Sequence, residues 1–336
     1  MIWARAEGCR VWDEDGREYL DLSAGFGVAA LGHRNPLISA AWAAQPVVHA
    51  LGDLADAAVT AALRERLGPC KLGVTGEDAV EIGLRTALLA TGRPGIVAFE
   101  GAYHGTGLLA LAATAIEAFR EPFAAWLPGP VHRFPYGEDP GRLPPDAGCV
   151  IVEPVQGRGG ARVPPDGFLE RLRERCDEAR ALLVCDEIYC GLGRTGAMWR
   201  SGDLGDVLLT GKALGGGLPM SAALFLRAEL ADLWRLGPED VLTHTHVGSP
   251  LACAAALLLL DRLPALLEHV NAMGERFEAA GWHGVGLLRA RAGEWEEAWR
   301  RGVIVVPAGS GGSLISATPP LTISADEADE ALARLG

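Results

Sequence analysis

The sequence predicts an α/β fold: a mainly parallel sheet flanked by helices in a large domain, with a smaller α/β domain beside it. Three observations carry this. Short apolar runs bounded by glycine or polar residues recur through the middle of the chain, amphipathic stretches alternate with them, and 336 residues at 49% hydrophobic allow about two domains.

The runs IVAF (96–99), CVIVE (149–153), LLVC (182–185), VLLT (207–210) and AALFL (222–226) read as strands buried on both faces. Between them, 167–180 places Phe168, Leu169, Leu172, Cys176 and Ala179 on one helical face and its charges on the other. Ser249 and Pro250 read as the cap and first turn of another helix. The alternation is clearest over 35–247, the expected large domain. Residues 1–34 and 248–336 follow it less well and are expected to form the small domain together. The 44 glycines and 21 prolines are spread throughout, and there is no internal repeat.

Composition narrows the function. Thirty basic against 43 acidic residues give a net charge of −13, the wrong sign for a phosphate-backbone binder, and the apolar content excludes a disordered chain. No secretory signal is visible at the start, and the apolar run 251–260 is shorter than the roughly 20 residues of a membrane helix, so a cytoplasmic protein is expected. Seven cysteines without a CxxC pair suggest free thiols, and no metal site is expected. Of the 30 basic residues only Lys71 and Lys212 are lysines. An ammonium, unlike a guanidinium, can lose its proton near neutral pH and act as an amine nucleophile.

In a parallel sheet, ligands gather at the carboxyl ends of strands. The polar residues there are Tyr103 and His104 after IVAF, Glu153 after CVIV, Asp186 and Glu187 after LLVC, and Lys212 after VLLTG. Lysine is ordinarily a solvated surface residue. Lys212 instead follows a buried-looking strand and precedes a glycine-rich turn, where desolvation lowers the amine pKa from about 10.4 towards about 7–8. Lys71, after Pro69 in GPCKLG, reads as an ordinary loop residue. Asp186 ending an apolar strand reads either as a cap or ion-pair partner, or as the counter-charge to a protonated ring nitrogen. An imine-forming lysine and an acid facing a pyridinium are together what pyridoxal phosphate (PLP) needs from a protein. Two other motifs fail. GLGRTG (191–196) has the dinucleotide spacing, but it lies beyond DEIYC and no helix opens after it. TGKALGGG (210–217) lacks the leading glycine and the Ser or Thr of a phosphate loop.

At this point the residues carry a family. The chain resembles the class III PLP-dependent aminotransferases, of the type I PLP-transferase fold, in VWDEDGREYLDLSAGFGVAALGH (11–33), TGRPGIVAFEGAYHG (91–105), VIVEPVQG (150–157), LLVCDEIYCGLGRTG (182–196), LLTGKALGGGLPMSA (208–222), GSPLACAAAL (248–257) and LISATPPLTIS (314–324). The resemblance implies a homodimer with a shared active site, in which an amino group passes from an amine or amino acid to a 2-oxo acid or aldehyde. It implies that Lys212 carries the cofactor imine and moves the proton. Asp186 would hold the pyridine nitrogen, Tyr103 and Ile188 would cover the two ring faces, and Glu153 would order the site. Thr75, Gly76 and Glu77 would stand at the phosphate, with Thr245 reaching it from the partner.

Departures from the family pattern define further expectations. Glu77 replaces a Ser or Thr of the phosphate loop and is expected to turn outward, leaving main-chain donors. Tyr189 stands where the family has a glutamine, and its phenol can donate to the ring oxygen. Ser316 replaces the arginine that grips the substrate carboxylate, and Arg158 replaces a glutamate; Arg158 is expected to bind a substrate acid group, with Phe26 also at the substrate. Arg194 reads as a loop ion pair. The chain is also shorter than relatives usually are, which suggests a more open entrance or altered activity. The alternatives are a decarboxylase, racemase or aminomutase of the same fold, or a non-catalytic relative. Neither nucleic acid nor membrane is an expected partner.

Overall fold

The computed structural model describes residues 2–49, 55–234 and 244–336. Its centre is a seven-stranded sheet in the order Cys70–Gly73, Ser221–Phe225, Val207–Thr210, Leu182–Asp186, Ala147–Val152, Gly95–Phe99, Val131–Phe134. The five predicted runs are all in it. Ser221–Phe225 runs antiparallel to both neighbours, and the remaining pairings are parallel, so the sheet is mixed with a parallel majority. Residues of Gly95–Phe99, Ala147–Val152 and Leu182–Asp186 are buried throughout. That explains unbroken apolar runs where a half-exposed strand would alternate.

Helices cover both faces. Phe168–Ala179 buries Phe168, Leu169, Leu172 and Cys176, the face expected from spacing. Gly76–Thr91 crosses the other face. It opens with a capping box in which Thr75 Oγ1 accepts from Asp78 N and the Asp78 carboxylate accepts from Thr75 N, and it closes at Gly92 in the left-handed region, φ 64°.

Lys71 is not in a loop. It lies in the edge strand Cys70–Gly73, 8% exposed, with its amine 5.0 Å from the Trp234 ring centroid. Pro69 marks the residue before the strand, not a turn around the lysine. Pro250–Ala279 is long and apolar enough over part of its length to cross a membrane, but it buries thirteen residues against the rest of the chain and reads as a core helix. Ser249 is its N-cap and Pro250 its first residue, as expected, although the Ser249 side chain makes no capping hydrogen bond.

The two ends of the chain build two four-stranded sheets. Trp3–Glu7, Arg10–Asp13 and Glu18–Asp21 form an antiparallel meander, to which Val303–Ile304 adds in parallel beside Leu20 and Asp21. His283–Val285, Leu288–Ala292, Leu314–Ala317 and Val306–Ala308 form the other. All seven cysteines are free thiols, six of them buried.

Candidate active site

The carboxyl edge of the central sheet opens into a cavity of about 260 Å³ lined by Thr75, Gly76, Glu77, Tyr103, His104, Gly105, Glu153, Arg158, Asp186, Ile188, Tyr189 and Lys212. Sequence positions 75 to 212 converge here because four parallel strands end side by side and each turns directly into a short polar loop. Ten of the twelve expected site residues line this one cavity; Phe26 and Thr245 do not.

Lys212 follows Thr210 and Gly211 and adopts φ 37°, a left-handed value costly for a side chain with a Cβ. Its amine stands 4.4 Å from the centroid of the Tyr189 ring. Burial lowers its pKa, and the Asp186 and Glu153 carboxylates oppose that shift. Tyr189 lies close because Gly157 allows it. A Cβ at position 157 would fall 2.0 Å from Tyr189 Cδ1. The Tyr189 hydroxyl pairs with Thr318 Oγ1 at 3.2 Å, which in turn donates to the Ser23 carbonyl.

Asp186, 4% exposed, is fixed at both oxygens. Oδ1 accepts from Ile188 N at 3.1 Å, and Oδ2 accepts from His104 Nδ1 at 2.7 Å. A carboxylate only accepts, so the shared proton sits on His104 Nδ1, and Nε2 of this buried ring has no partner among the described residues. The sequence drew attention to His104 by its place after a strand but gave it no role; its pairing with Asp186 joins residues 82 apart. Glu153 accepts from Tyr103 N at 2.9 Å and Gly157 N at 3.3 Å. Burial pushes its carboxyl pKa up to about 7 against a lowering contribution from His104. Glu187 faces elsewhere: it accepts from Ser201 N and Oγ and anchors the 187–201 loop.

Arg158 lies 5.1 Å from the Tyr103 ring centroid and 5.5 Å from that of Phe119. Among the described residues no carboxylate pairs with it. Ile188 packs on Gly76, where a Cβ would come within 3.1 Å of Ile188 Cγ2.

Several expectations need correction. Glu77 does not turn outward. It lines the cavity, and its Oε2 accepts from Gly107 N at 2.8 Å, Thr106 N at 3.1 Å and Thr106 Oγ1 at 3.3 Å. The loop after Tyr103 supplies these donors, which water would otherwise have to satisfy. Arg194 is not an ion pair. It is 3% exposed and donates to the Leu287 and Pro319 carbonyls, tying its loop to the C-terminal segment. Phe26 lies in a different, apolar cavity of about 520 Å³ with Trp3, Trp295 and Trp299, so one chain does not bring it to Lys212. Thr245 is exposed, and its carbonyl accepts from His49 Nε2. Ser316 is buried and donates to the Arg289 carbonyl. Among the described residues no group of three His, Cys, Asp or Glu side chains could hold a metal.

The donor set fits a planar ring that carries an aldehyde and a basic nitrogen. An amine and a fixed carboxylate share the cavity, an aliphatic and an aromatic side chain stand beside it, and His104 Nε2 is left unpaired.

A sequence model of the family described as Aminotransferase class-III matches residues 1–280. An acetylornithine aminotransferase of Methanopyrus kandleri is 36% identical, covering 98% of this chain and 92% of that protein. A succinylornithine transaminase of Citrobacter koseri is 33% identical, covering 99% and 91%. Among solved structures, an ornithine aminotransferase from Toxoplasma gondii superposes with a TM-score of 0.90 at 27% identity, covering 99% of this chain and 89% of that one. An amine transaminase from an uncultivated Pseudomonas species, solved in its PLP-bound form, gives 0.85 at 28% identity, covering 100% and 93%.

Proposed function

The chain belongs to the class III aminotransferases, enzymes that move an amino group with the help of PLP, and we propose from that premise how its own residues do so. The observation that carries the reading is the placement of Lys212: an amine at the end of a buried strand, in a strained turn, in one cavity with the doubly anchored Asp186. When bound, PLP supplies an electron sink conjugated to the carbon that carries the migrating amino group.

Lys212 is the residue that would hold the cofactor at its aldehyde, and its Nζ would move the substrate proton. The lowered amine pKa supports this, because only the unprotonated amine is a nucleophile or a base. Asp186 keeps a ring nitrogen protonated. Ile188 N and His104 Nδ1 hold its two oxygens so that the carboxylate needs no reorganisation in the reaction. Ile188 and Tyr103 bound the ring faces, and the Tyr189 ring, its centroid 4.4 Å from the Lys212 amine, limits where that amine can move. Glu153 holds the Tyr103 loop through its main chain. Thr75 and Gly76 stand at the start of Gly76–Thr91, where main-chain donors face the cavity.

The substrates are an amine or amino-acid donor and a 2-oxo acid or aldehyde acceptor. Arg158, which pairs with no carboxylate among the described residues, is the anchor for a substrate acid group, in the absence of an arginine at position 316. Replacing Arg158 by alanine is expected to raise KM for acidic substrates about tenfold or more with little effect on neutral amines; equal KM values would remove it from this role.

We also assign 35–247 and the two chain ends to separate large and small domains, a homodimeric assembly with Thr245 reaching the neighbouring site, and a cytoplasmic location. Parallel pairing of Val303–Ile304 with Glu18–Asp21 supports joining the two ends. Support for the dimer comes from Phe123 and Trp126, 48% and 76% exposed on the segment that Phe119 holds beside the cavity. The test of function is spectroscopic. Protein mixed with PLP should develop a visible band that bleaches when the right amino donor is added without an acceptor. No band, or a band no donor bleaches, would overturn the reading.

A further inference from the structure

The apolar cavity that holds Phe26 is formed by the two ends of the chain and, at about 520 Å³, is twice the size of the one around Lys212. The two share no lining residue. They adjoin at segment 23–27: Ser23, Gly25 and Phe26 line the apolar cavity, while a Cβ on Gly27 would come within 3.3 Å of Tyr189 Cε2. The walls are aromatic and held in place. Trp299 stands 5.5 Å from Trp295 and 6.2 Å from Trp3 between ring centroids, and its Nε1 donates to the Val305 carbonyl at 2.9 Å. Phe26, 46% exposed, adopts φ 61° after Ala24 at 44° and Gly25 at 59°. A phenylalanine in the left-handed region is strained, and the strain fixes a half-exposed ring at the cavity.

Polar groups are few, and they limit what the cavity can take. No lysine or arginine lines it, and its one carboxylate, the buried Asp21, is already met by four donors. Asp21 Oδ1 accepts from Ser23 N at 2.8 Å, Ser23 Oγ at 2.6 Å and Ala24 N at 3.1 Å, and Oδ2 accepts from His33 Nε2 at 2.8 Å. An anion here would face Asp21 with no cation beside it, and an ammonium would find no free carboxylate. His33 is different. With its Nε2 proton given to Asp21, the neutral ring can accept at Nδ1, which has no partner among the described residues. Ring-lined walls around one uncharged acceptor suit an uncharged aromatic molecule.

We infer that this cavity is a second binding site, separate from the one around Lys212, for a small uncharged aromatic molecule carrying a hydroxyl or N–H group. The ring packs among Trp3, Phe26, Trp295 and Trp299, and the hydroxyl or N–H donates to His33 Nδ1.

The test is a calorimetric titration of the full chain, with and without PLP, using 2-naphthol and its anionic counterpart 2-naphthoate. Wild type should bind 2-naphthol with a Kd of about 100 µM or tighter, and 2-naphthoate about tenfold more weakly or worse. Trp3→Ala and Phe26→Ala remove rings from two different elements of the wall, and each should weaken 2-naphthol by about tenfold or more. The comparison of the two compounds needs no variant, so it stands even where a variant fails to fold. No heat with 2-naphthol, equal binding of 2-naphthoate, or wild-type affinity in both variants overturns the inference. So does displacement of 2-naphthol by PLP, which would put the ring in the Lys212 cavity. Unchanged 2-naphthol affinity in variants whose sedimentation shows a changed oligomeric state would make this face a contact between copies of the chain, and also overturns it. None of these results depends on whether the chain transfers an amino group.

Discussion

Lys212 and Glu153 carry opposite burdens of burial. For the lysine, desolvation favours the neutral amine that the chemistry needs, so charge alone cannot replace it. Lys212→Arg keeps a cation in the cavity but should lower turnover by about 10³-fold or more, because a guanidinium neither binds the aldehyde nor deprotonates near neutral pH. Steady-state activity within tenfold of wild type would sink the assignment. For Glu153 burial raises the pKa from an ordinary 4.5 to about 7. A carboxyl whose folded pKa is raised contributes stability that is fully present below about pH 4.5 and is lost as pH rises through about 7. Glu153→Gln, which stays neutral, should gain stability on wild type between pH 5 and pH 8, by up to about 3 kcal/mol. Urea denaturation of the cofactor-free proteins at the two pH values reads the difference; a gap that is flat or narrows with pH contradicts the shifted carboxyl. The place of both residues at the cavity was legible from their strand-end positions. The direction of the Glu77 side chain was not, because its partners lie about thirty residues away and depend on how a loop folds back.

The strands show why elements were easier to read than their neighbours. Five runs buried on both faces left unbroken apolar stretches, and all five are strands. That same pattern is blind to direction, so the antiparallel placement of Ser221–Phe225 could not be seen. Cys70–Gly73 was missed because four residues containing a lysine carry neither an apolar run nor an alternation. Loop glycines mark close approaches that periodicity does not show. Gly157 lies in the turn between Ala147–Val152 and Arg158, and a methyl group there would overlap Tyr189, whose ring underlies the Lys212 amine. Gly157→Ala should cost about 1–3 kcal/mol and reduce turnover about tenfold or more as the tyrosine is displaced. Adding Tyr189→Leu should recover stability without recovering turnover, since the clash goes but the ring under the amine does not return. A stable, fully active Gly157→Ala protein would show that the close packing at Gly157 is not needed to position the amine.

For the whole molecule, the arrangement of site residues itself argues for assembly. One chain gathers Lys212, Asp186, Tyr103, Glu153 and Arg158 around a single cavity yet leaves Thr245 exposed and outside it, while Phe123 and Trp126 stand in solvent on the segment flanking that cavity. A two-fold dimer that covers this segment would bury the aromatics and carry Thr245 of each chain towards the other's cavity. Sedimentation should then give twice 35.3 kDa. A shared site makes a sharper forecast than mass does. In a dimer of one Lys212→Ala chain and one Thr245→Ala chain, one cavity loses both residues and the other keeps both. A random equal mixture unfolded and refolded together should therefore hold about a quarter of its cavities in wild-type form. Assayed at limiting PLP, where loss of Thr245 weakens cofactor retention, it should approach about a quarter of wild-type activity. If Thr245 instead serves the cavity of its own chain, no wild-type cavity forms, and the mixture can only reach half the activity of the Thr245→Ala protein alone.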